Sequence, residues 1–288
     1  MLSKTSKISG RSHYLSLNGL RFHYLEWGSK RAPAMVMLHG LRAYARTWDK
    51  LALRFQDRFR VLALDQRGRG ETQWDPEANY YTDAYLADLE AFVDALDLER
   101  FILIGHSMGG TTAYVYTARH PERIERTVVE DIGPGSAVQG AGSERIKREM
   151  TETPAAFDNW DRARAYWRRL RPRAGDDAIE QRVRETLREG ADGNVVWRFD
   201  WAGIRKTRLE PDRARIVDLW PIVDSIERPV LVLRGARSDF LPVETCQAMA
   251  ERNSWIRWRE IPDASHYVHD DNLEAYAAEL GAFLSDSS

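Results

Sequence analysis

Short apolar runs alternate with amphipathic segments along most of this chain. Residues 13–18 and 20–26 alternate apolar and polar positions around Asn18-Gly19, a dipeptide that favours a tight turn, and so predict a β-hairpin. Later apolar runs are typical of strands in a parallel sheet whose two faces are covered by helices. Strands are therefore predicted at 34–38, 59–65, 101–105, 126–131, 229–234 and 256–261.

Helical patterns separate these strands. Helices are predicted at 46–55, 82–96, 108–119, 242–252 and 271–284. A repeated strand–helix order indicates the α/β class, with a doubly wound and mostly parallel sheet.

Residues 135–220 interrupt the alternation, because they contain many helix formers and few β-branched runs. We expect a helical insertion there, carried by a sheet domain built from residues 1–134 and 221–288. Such an insertion is either a solvated decoration or a cap over a site at the strand ends. The cap interpretation depends on finding a site beside it.

Length and charge narrow the functional classes. A chain of 288 residues suits one large α/β domain with an insertion. The 42 basic and 44 acidic side chains nearly balance, which argues against a nucleic-acid partner. The single cysteine, Cys246, excludes an internal disulfide and a cysteine-based zinc site, and we expect it to be a small packed residue.

Nothing in the sequence predicts a membrane partner. No run approaches the ~20 apolar residues that a spanning helix needs, and residues 1–12 lack the apolar stretch of a secretory signal. We therefore expect a cytoplasmic protein, either a monomer or a homodimer, that acts on a small molecule. No cluster of His, Asp and Glu has a convincing metal-ligand spacing.

The chemistry is concentrated in Gly105-His-Ser-Met-Gly109-Gly110, which lies between a predicted strand and a predicted helix. Gly-x-Ser-x-Gly in that context is a nucleophile elbow. The glycines flank Ser107 because side chains at those positions would collide with the neighbouring backbone. The turn exposes the Ser107 hydroxyl beside a helix N-terminus, which favours negative charge.

Together with three other segments, the elbow resembles the α/β-hydrolase superfamily over essentially the whole chain. The other segments are His39-Gly40 after the third strand, Asp65-Gln-Arg-Gly-Arg-Gly70 after the fourth, and Ala264-Ser-His266 near the end. The resemblance implies an α/β-hydrolase fold and a serine mechanism that requires no cofactor.

The resemblance assigns further roles. It places the general base at His266, after the last strand, and leaves His269 as a surface or packing residue. The oxyanion hole would use the backbone N–H groups of Met108 and Leu41, with His39 bracing the loop of Leu41.

Two candidates remain for the acid that orients His266. Asp131 lies 24 residues beyond Ser107, in Asp131-Ile-Gly-Pro, where some members of the superfamily carry their acid. Asp239 lies in the more usual loop after the seventh strand, but one residue late in register, with Ser238 in the expected place. We favour Asp131, and the sequence leaves Asp239 open.

Substrate contacts are only weakly indicated. Arg42 and Tyr44 directly follow the oxyanion loop, so we expect them at the mouth of the site. In the insertion, arginines interleave with tryptophans, which could clamp a carboxylate over an apolar pocket. These candidates are Arg145, Trp160, Arg164, Trp167 and Arg168.

The sequence thus predicts a serine hydrolase for a small ester, amide or lactone. Ser107 in place of aspartate excludes the epoxide hydrolases and haloalkane dehalogenases of this fold. A C–C bond hydrolase or a cofactor-free perhydrolase shares the triad, although Leu41-Arg42-Ala43 does not match the usual loop of C–C hydrolases. The alternative from another class is a small-molecule receptor that retains the fold with little turnover.

Overall fold

The computed structural model describes residues 10–171 and 175–286. Most of the segment 1–12, for which the sequence predicts no secretory signal, lies outside the described residues. None of the helices in these two ranges combines the length and the hydrophobicity of a membrane-spanning segment.

Eight strands form the main sheet, in the order β1-β2-β4-β3-β5-β6-β10-β11. They are β1 (Arg11–Leu17), β2 (Leu20–Trp27), β3 (Ala34–Leu38), β4 (Arg60–Leu64), β5 (Phe101–His106), β6 (Ile124–Glu130), β10 (Val230–Gly235) and β11 (Ile256–Ile261). The hairpin β1–β2 is antiparallel and β2 pairs antiparallel with β4, whereas the other pairs are parallel. The predicted hairpin and the mostly parallel sheet are confirmed.

Helices connect and cover the strands in the described residues. They are α1 (Asp49–Phe55), α2 (Thr82–Ala95), α3 (Met108–Arg119), α4 (Gly140–Glu152), α5 (Trp160–Leu170), α6 (Asp176–Thr186), α7 (Trp201–Leu209), α8 (Leu219–Asp224), α9 (Val243–Arg252), α10 (Val268–Asp271) and α11 (Leu273–Ser285). The predicted helix at 46–55 begins as a 3₁₀ turn over Ala45–Trp48 before α1.

The segment 135–220 contains strands as well as helices. Three short strands, β7 (Ala156–Phe157), β8 (Leu187–Glu189) and β9 (Val195–Trp197), form a small antiparallel sheet in the order β7-β9-β8. Each has only two or three residues, too few to show a period-2 pattern, so the sequence predicted helices alone.

The sheet is buried on both faces. Each residue of β3 and β5 is buried, and so is each residue of β10. The carboxyl ends of β3, β5, β6 and β10 are neighbours at one edge of the sheet, which is where sites form in open α/β folds. The loops that follow these strands carry the residues singled out from the sequence.

Candidate active site

Ser107 occupies a strained turn between β5 and α3. Its backbone has φ 51° and ψ −116°, a conformation that L-residues other than glycine rarely adopt. Its N–H donates a hydrogen bond to the carbonyl oxygen of Glu130 at 2.9 Å. The end of β6 therefore holds the turn in place.

The two glycines that flank Ser107 allow this turn. A Cβ atom on Gly105 would lie 2.4 Å from the carbonyl oxygen of Gly109. A Cβ on Gly109 would lie 2.4 Å from the carbonyl oxygen of Leu38, at the end of β3. Both clashes are with backbone atoms, so the predicted steric reason for the glycines agrees with the packing.

Ser107, His266 and Asp131 form a continuous hydrogen-bond chain. The Ser107 hydroxyl donates to Nε2 of His266 at 3.0 Å. Nδ1 of His266 donates to Oδ2 of Asp131 at 2.8 Å. The three side chains are almost completely buried, and Phe240 packs on the His266 ring with centroids 4.3 Å apart.

The Asp131 carboxylate is fixed from several sides. Its Oδ1 accepts a hydrogen bond from the N–H of Gly235 at 3.1 Å, and its Oδ2 accepts one from the Ser238 hydroxyl at 2.5 Å. The same hydroxyl accepts from the N–H of Phe240 at 3.0 Å. Ser238, which the sequence marked only as the residue in the usual acid position, thus supports the carboxylate that contacts His266.

Asp239 is turned toward another partner. Its two oxygens accept hydrogen bonds from Arg145, at 2.7 and 2.9 Å, and that contact lowers the pKa of Asp239. The one-residue shift in register has placed a serine, not a carboxylate, against the histidine network. The alternative that put the orienting acid at Asp239 therefore finds no support in the geometry.

The predicted oxyanion loop lies against the elbow. A Cβ on Gly40 would lie 3.4 Å from the Cβ of Ser107. Among the described residues, the N–H groups of Leu41 and Met108 donate no hydrogen bond, so both donors are available. His39 braces this loop, since its Nε2 accepts from the N–H of Gln66 at 3.0 Å, and burial lowers its pKa to about 4.

Arg69 links the two predicted oxyanion residues. Its Nε donates to the carbonyl oxygen of Leu41 at 3.0 Å, and its guanidinium contacts Sδ of Met108 at 3.3 Å. The side chain is fully buried and also donates to Tyr85 at 2.7 Å. The sequence placed Arg69 in a structural turn only; its contacts with both residues could not be seen without the fold.

Arg42 and Tyr44 are both committed to acidic side chains of the insertion. Arg42 is paired with Glu149 of α4, and the Tyr44 hydroxyl donates to Glu185 of α6. Arg145 is paired with Glu149 at 3.0 Å in addition to Asp239. These contacts join the insertion to the loop after β3 and the loop after β10. Arg42, Tyr44 and Arg145 are therefore each bonded to an acidic side chain.

The other predicted clamp residues lie elsewhere. Arg164 is paired with Glu180 and Asp161, and Arg168 is half-exposed and paired with Asp176. Trp167 is buried among aromatic rings of the insertion, 5.9 Å from Trp197, and Trp160 packs against the same core. Both arginines thus form ion pairs along one face of α5, and the two tryptophans pack in the interior of the insertion.

A second polar group is buried directly beneath the chain of Ser107, His266 and Asp131. It consists of His106, Glu130 and His269, whose ligand-type atoms lie within 4.8 Å of one another. His106 and Glu130 each precede a residue of the first group, and successive side chains point to opposite faces of a strand. His269 is 2% exposed, so of the two expectations for it, a surface or a packing residue, the structure agrees with packing.

Both histidines of this second group use a ring nitrogen in a hydrogen bond, while Nδ1 of His106 is buried without a partner among the described residues. Nδ1 of His269 donates to both oxygens of Glu130, at 2.7 and 2.8 Å. Nε2 of His106 donates to the carbonyl oxygen of His266 at 2.8 Å, so this layer supports the loop that carries His266. Burial alone lowers the pKa of His269, but Glu130 raises it above the ordinary 6.5.

His269→Gln is expected to destabilise the fold in a pH-dependent way. Because the pKa of His269 is raised on folding, its stabilising contribution is complete below pH 6.5 and declines as the pH rises through the folded-state pKa. At pH 6 the variant should lose about 3 kcal/mol of unfolding free energy, since the buried side chain of Glu130 loses its ion-pair partner and keeps the backbone N–H of residue 269 as a donor. Urea unfolding from pH 6 to pH 10 should show this deficit shrinking.

His120→Gln is the matched control, because His120 pairs with Glu90 at the same 2.8 Å but at the surface. Its loss should stay below about 1 kcal/mol. A His269→Gln deficit that is unchanged across the pH range would show that the pair is not charged in the folded protein.

Comparisons with known proteins agree with this arrangement. A family model described as alpha/beta hydrolase fold matches residues 33–273. The chain is 29% identical to N-formylmaleamate deformylase of Pseudomonas putida, over 94% of this chain and 95% of the relative. It is 30% identical to 3-hydroxybutyrate-oligomer hydrolase of Cupriavidus necator, over 85% and 87% of the two chains. The crystal structure of an alpha/beta hydrolase from Novosphingobium aromaticivorans superimposes with a TM-score of 0.82 at 30% identity, covering 96% of this chain and 98% of that one.

Proposed function

Since the chain belongs to the alpha/beta hydrolase family and its named relatives are hydrolases, we propose that it is a serine hydrolase. It cleaves a small ester, amide or lactone through an acyl-enzyme intermediate. The observation that carries this proposal is the hydrogen-bond chain from Ser107 through His266 to Asp131.

The geometry gives each member a role in the first half-reaction. The Ser107 hydroxyl already donates to Nε2 of His266, so its proton passes to the imidazole as Oγ attacks the substrate carbonyl. Asp131 holds the other ring nitrogen and stabilises the imidazolium that forms. The N–H groups of Leu41 and Met108 receive the negative charge on the carbonyl oxygen.

The first tetrahedral intermediate collapses when His266 gives its proton to the leaving alcohol or amine and the C–O or C–N bond breaks, which leaves the acyl-enzyme. In the second half-reaction His266 takes a proton from the water that attacks the acyl-enzyme. Collapse of the second tetrahedral intermediate releases the acid and restores the Ser107 hydroxyl. An ester and an amide differ only in the leaving group, and the two named relatives, a deformylase and an oligomer hydrolase, support both.

We further propose that residues 135–220 act as a cap over Ser107. Ser107 and His266 are only 6% and 5% exposed, and Arg42–Glu149 and Tyr44–Glu185 tie the insertion to the loop beside them. A cap of this kind excludes water from the tetrahedral intermediate, which strengthens the electrostatic stabilisation by the oxyanion donors.

Ser107→Ala tests the mechanism. Turnover of p-nitrophenyl acetate should fall by at least about 10³-fold, as when the nucleophile of a triad is removed, and a fluorophosphonate probe should label the parent on Ser107 and leave the variant unlabelled. Ser143→Ala is the control, since Ser143 is also buried but donates to the carbonyl of Ala137. Turnover or labelling that survives in folded Ser107→Ala would overturn the proposal.

A further inference from the structure

A cavity lies on the seam between the insertion and the loops that follow β3 and β11. It has a volume of about 270 Å³. Tyr44 lines it, three residues after Leu41, and so do Asp270 and Asp271, which follow His266 by four and five residues. The cavity therefore borders the segments that follow the oxyanion loop and the general base. Tyr267, next to His266 in the chain, has its ring 5.5 Å from the ring of His266.

Two arginines of the insertion flank the Tyr267 ring beside this cavity. The guanidinium of Arg171, at the end of α5, lies 4.1 Å from the ring centroid, and that of Arg182, in α6, lies 5.6 Å from it. Both line the cavity. Burial and the neighbouring Arg182 lower the pKa of Arg171, as expected where two cations are held together.

Arg171 has hydrogen-bond donors to spare. Among the described residues its guanidinium donates no hydrogen bond, and the nearest carboxylate oxygens, on Asp271 and Asp270, are 3.9 and 4.0 Å away. Its side chain is 23% exposed and lines the cavity, so these donors can be reached from it. One nitrogen of the Arg182 guanidinium donates a hydrogen bond to Asp270 at 2.8 Å.

Each acidic group of the cavity accepts at least one hydrogen bond, and among the described residues only Oδ1 of Asp49 is a buried carboxylate oxygen of this lining without a partner. The donors are Arg46 to Asp49, Tyr44 to Glu185, Arg182 to Asp270, and the N–H and hydroxyl of Ser265 to Asp271. Cations and carboxylates are equal in number around the cavity, so its net charge does not select a ligand. The guanidinium of Arg171 does, because it makes no hydrogen bond to the described residues, and an acceptor with two oxygens would bind two of its donors at once.

We infer that Arg171, with Arg182 beside it, binds a carboxylate of the substrate. This inference rests on the proposed function and narrows it to esters or amides that carry a carboxylate several bonds from the scissile carbonyl. Tyr267 holds both guanidiniums by cation–π contact and follows His266 directly in the chain. The ring thus joins the proposed carboxylate site to the loop that carries the general base.

Matched pairs of p-nitrophenyl esters test this assignment. The anionic members are the half-esters of adipic and pimelic acid, and the neutral members are the hexanoate and heptanoate. A charge-assisted hydrogen bond contributes about 1.5–3 kcal/mol, so the parent should prefer at least one half-ester by roughly 10- to 100-fold in kcat/KM. Arg171→Gln should remove this preference, mainly by raising KM, and leave the neutral esters within about twofold.

Arg164→Gln is the control, because Arg164 lies on the same helix but is paired with Glu180 and Asp161; the preference should be unchanged in this variant. Arg171→Lys should restore part of it, since an ammonium keeps the charge without the fork of donors. Equal rates for anionic and neutral esters in the parent, or a preference that survives in Arg171→Gln, would overturn the carboxylate site. If Ser107→Ala abolishes hydrolysis of both kinds of ester, the serine mechanism stands whichever result is found for Arg171.

Discussion

Asp131→Asn is expected to lower kcat by on the order of 10⁴-fold, whereas Asp239→Asn should leave it within about threefold. The first effect is expected because a carboxylate accepts hydrogen bonds at both of its oxygens, whereas an amide accepts them at one oxygen only. Asp131 accepts from His266, Gly235 and Ser238 at once. With Asn the imidazole loses its negative partner and adopts the wrong tautomer, which has this cost in the protease triad.

Asparagine is the suitable replacement because it preserves shape. Asp131 has φ 53°, a region that Asn tolerates better than other residues. The variant should therefore fold, which near-ultraviolet circular dichroism can check before kinetics are measured on p-nitrophenyl acetate. In Asp239→Asn only the partly exposed pair with Arg145 is weakened, and such pairs contribute little. A large loss in Asp239→Asn, with Asp131→Asn nearly unaffected, would reverse the assignment of the acid.

The acid could not be decided from the sequence because its identity depends on loop register in three dimensions. Both candidate loops follow strands near the elbow, and Asp239 differs from the usual position by one residue. The residue at the usual acid position is Ser238, and in the fold its hydroxyl donates a hydrogen bond to Asp131. The elbow was easier to predict, since the collisions that require Gly105 and Gly109 arise within one short turn and its immediate neighbours.

The substrate contacts were the hardest part to predict. Arg145, Arg164 and Arg168 looked free in the sequence, but each has an acidic partner in the fold. Glu149 and Asp161 lie four and three residues from their arginines, a spacing that helical geometry could have indicated. Asp239 and Glu180 lie 94 and 16 residues away, and no local pattern reveals them. Arg171 was not singled out, and its position over Tyr267 depends on packing between the insertion and the last loop.

Gly109→Ala is expected to destabilise the protein by about 3 kcal/mol or more and to reduce activity in the fraction that folds. The added methyl group would lie 2.4 Å from the carbonyl oxygen of Leu38 and 2.8 Å from that of His39. These are backbone atoms at the end of β3, so the strand must move, and overpacking of this kind costs 1–3 kcal/mol or more. The same movement shifts Leu41, and with it one of the two proposed oxyanion donors.

Gly281→Ala is expected to raise the unfolding free energy, the opposite of the effect of Gly109→Ala. Gly281 lies within α11, and an added Cβ would meet nothing within 4 Å, so alanine should stabilise the helix by roughly 0.5–1 kcal/mol. Urea unfolding should therefore move in opposite directions for the two Gly→Ala variants, while kcat changes in Gly109→Ala only. Because both variants add one methyl group to a glycine, the difference between them isolates the contact with β3. If Gly109→Ala is as stable and active as the parent, the elbow does not pack against the end of β3 as closely as the structure indicates. The oxyanion loop would then be positioned by the contacts of Arg69 and His39.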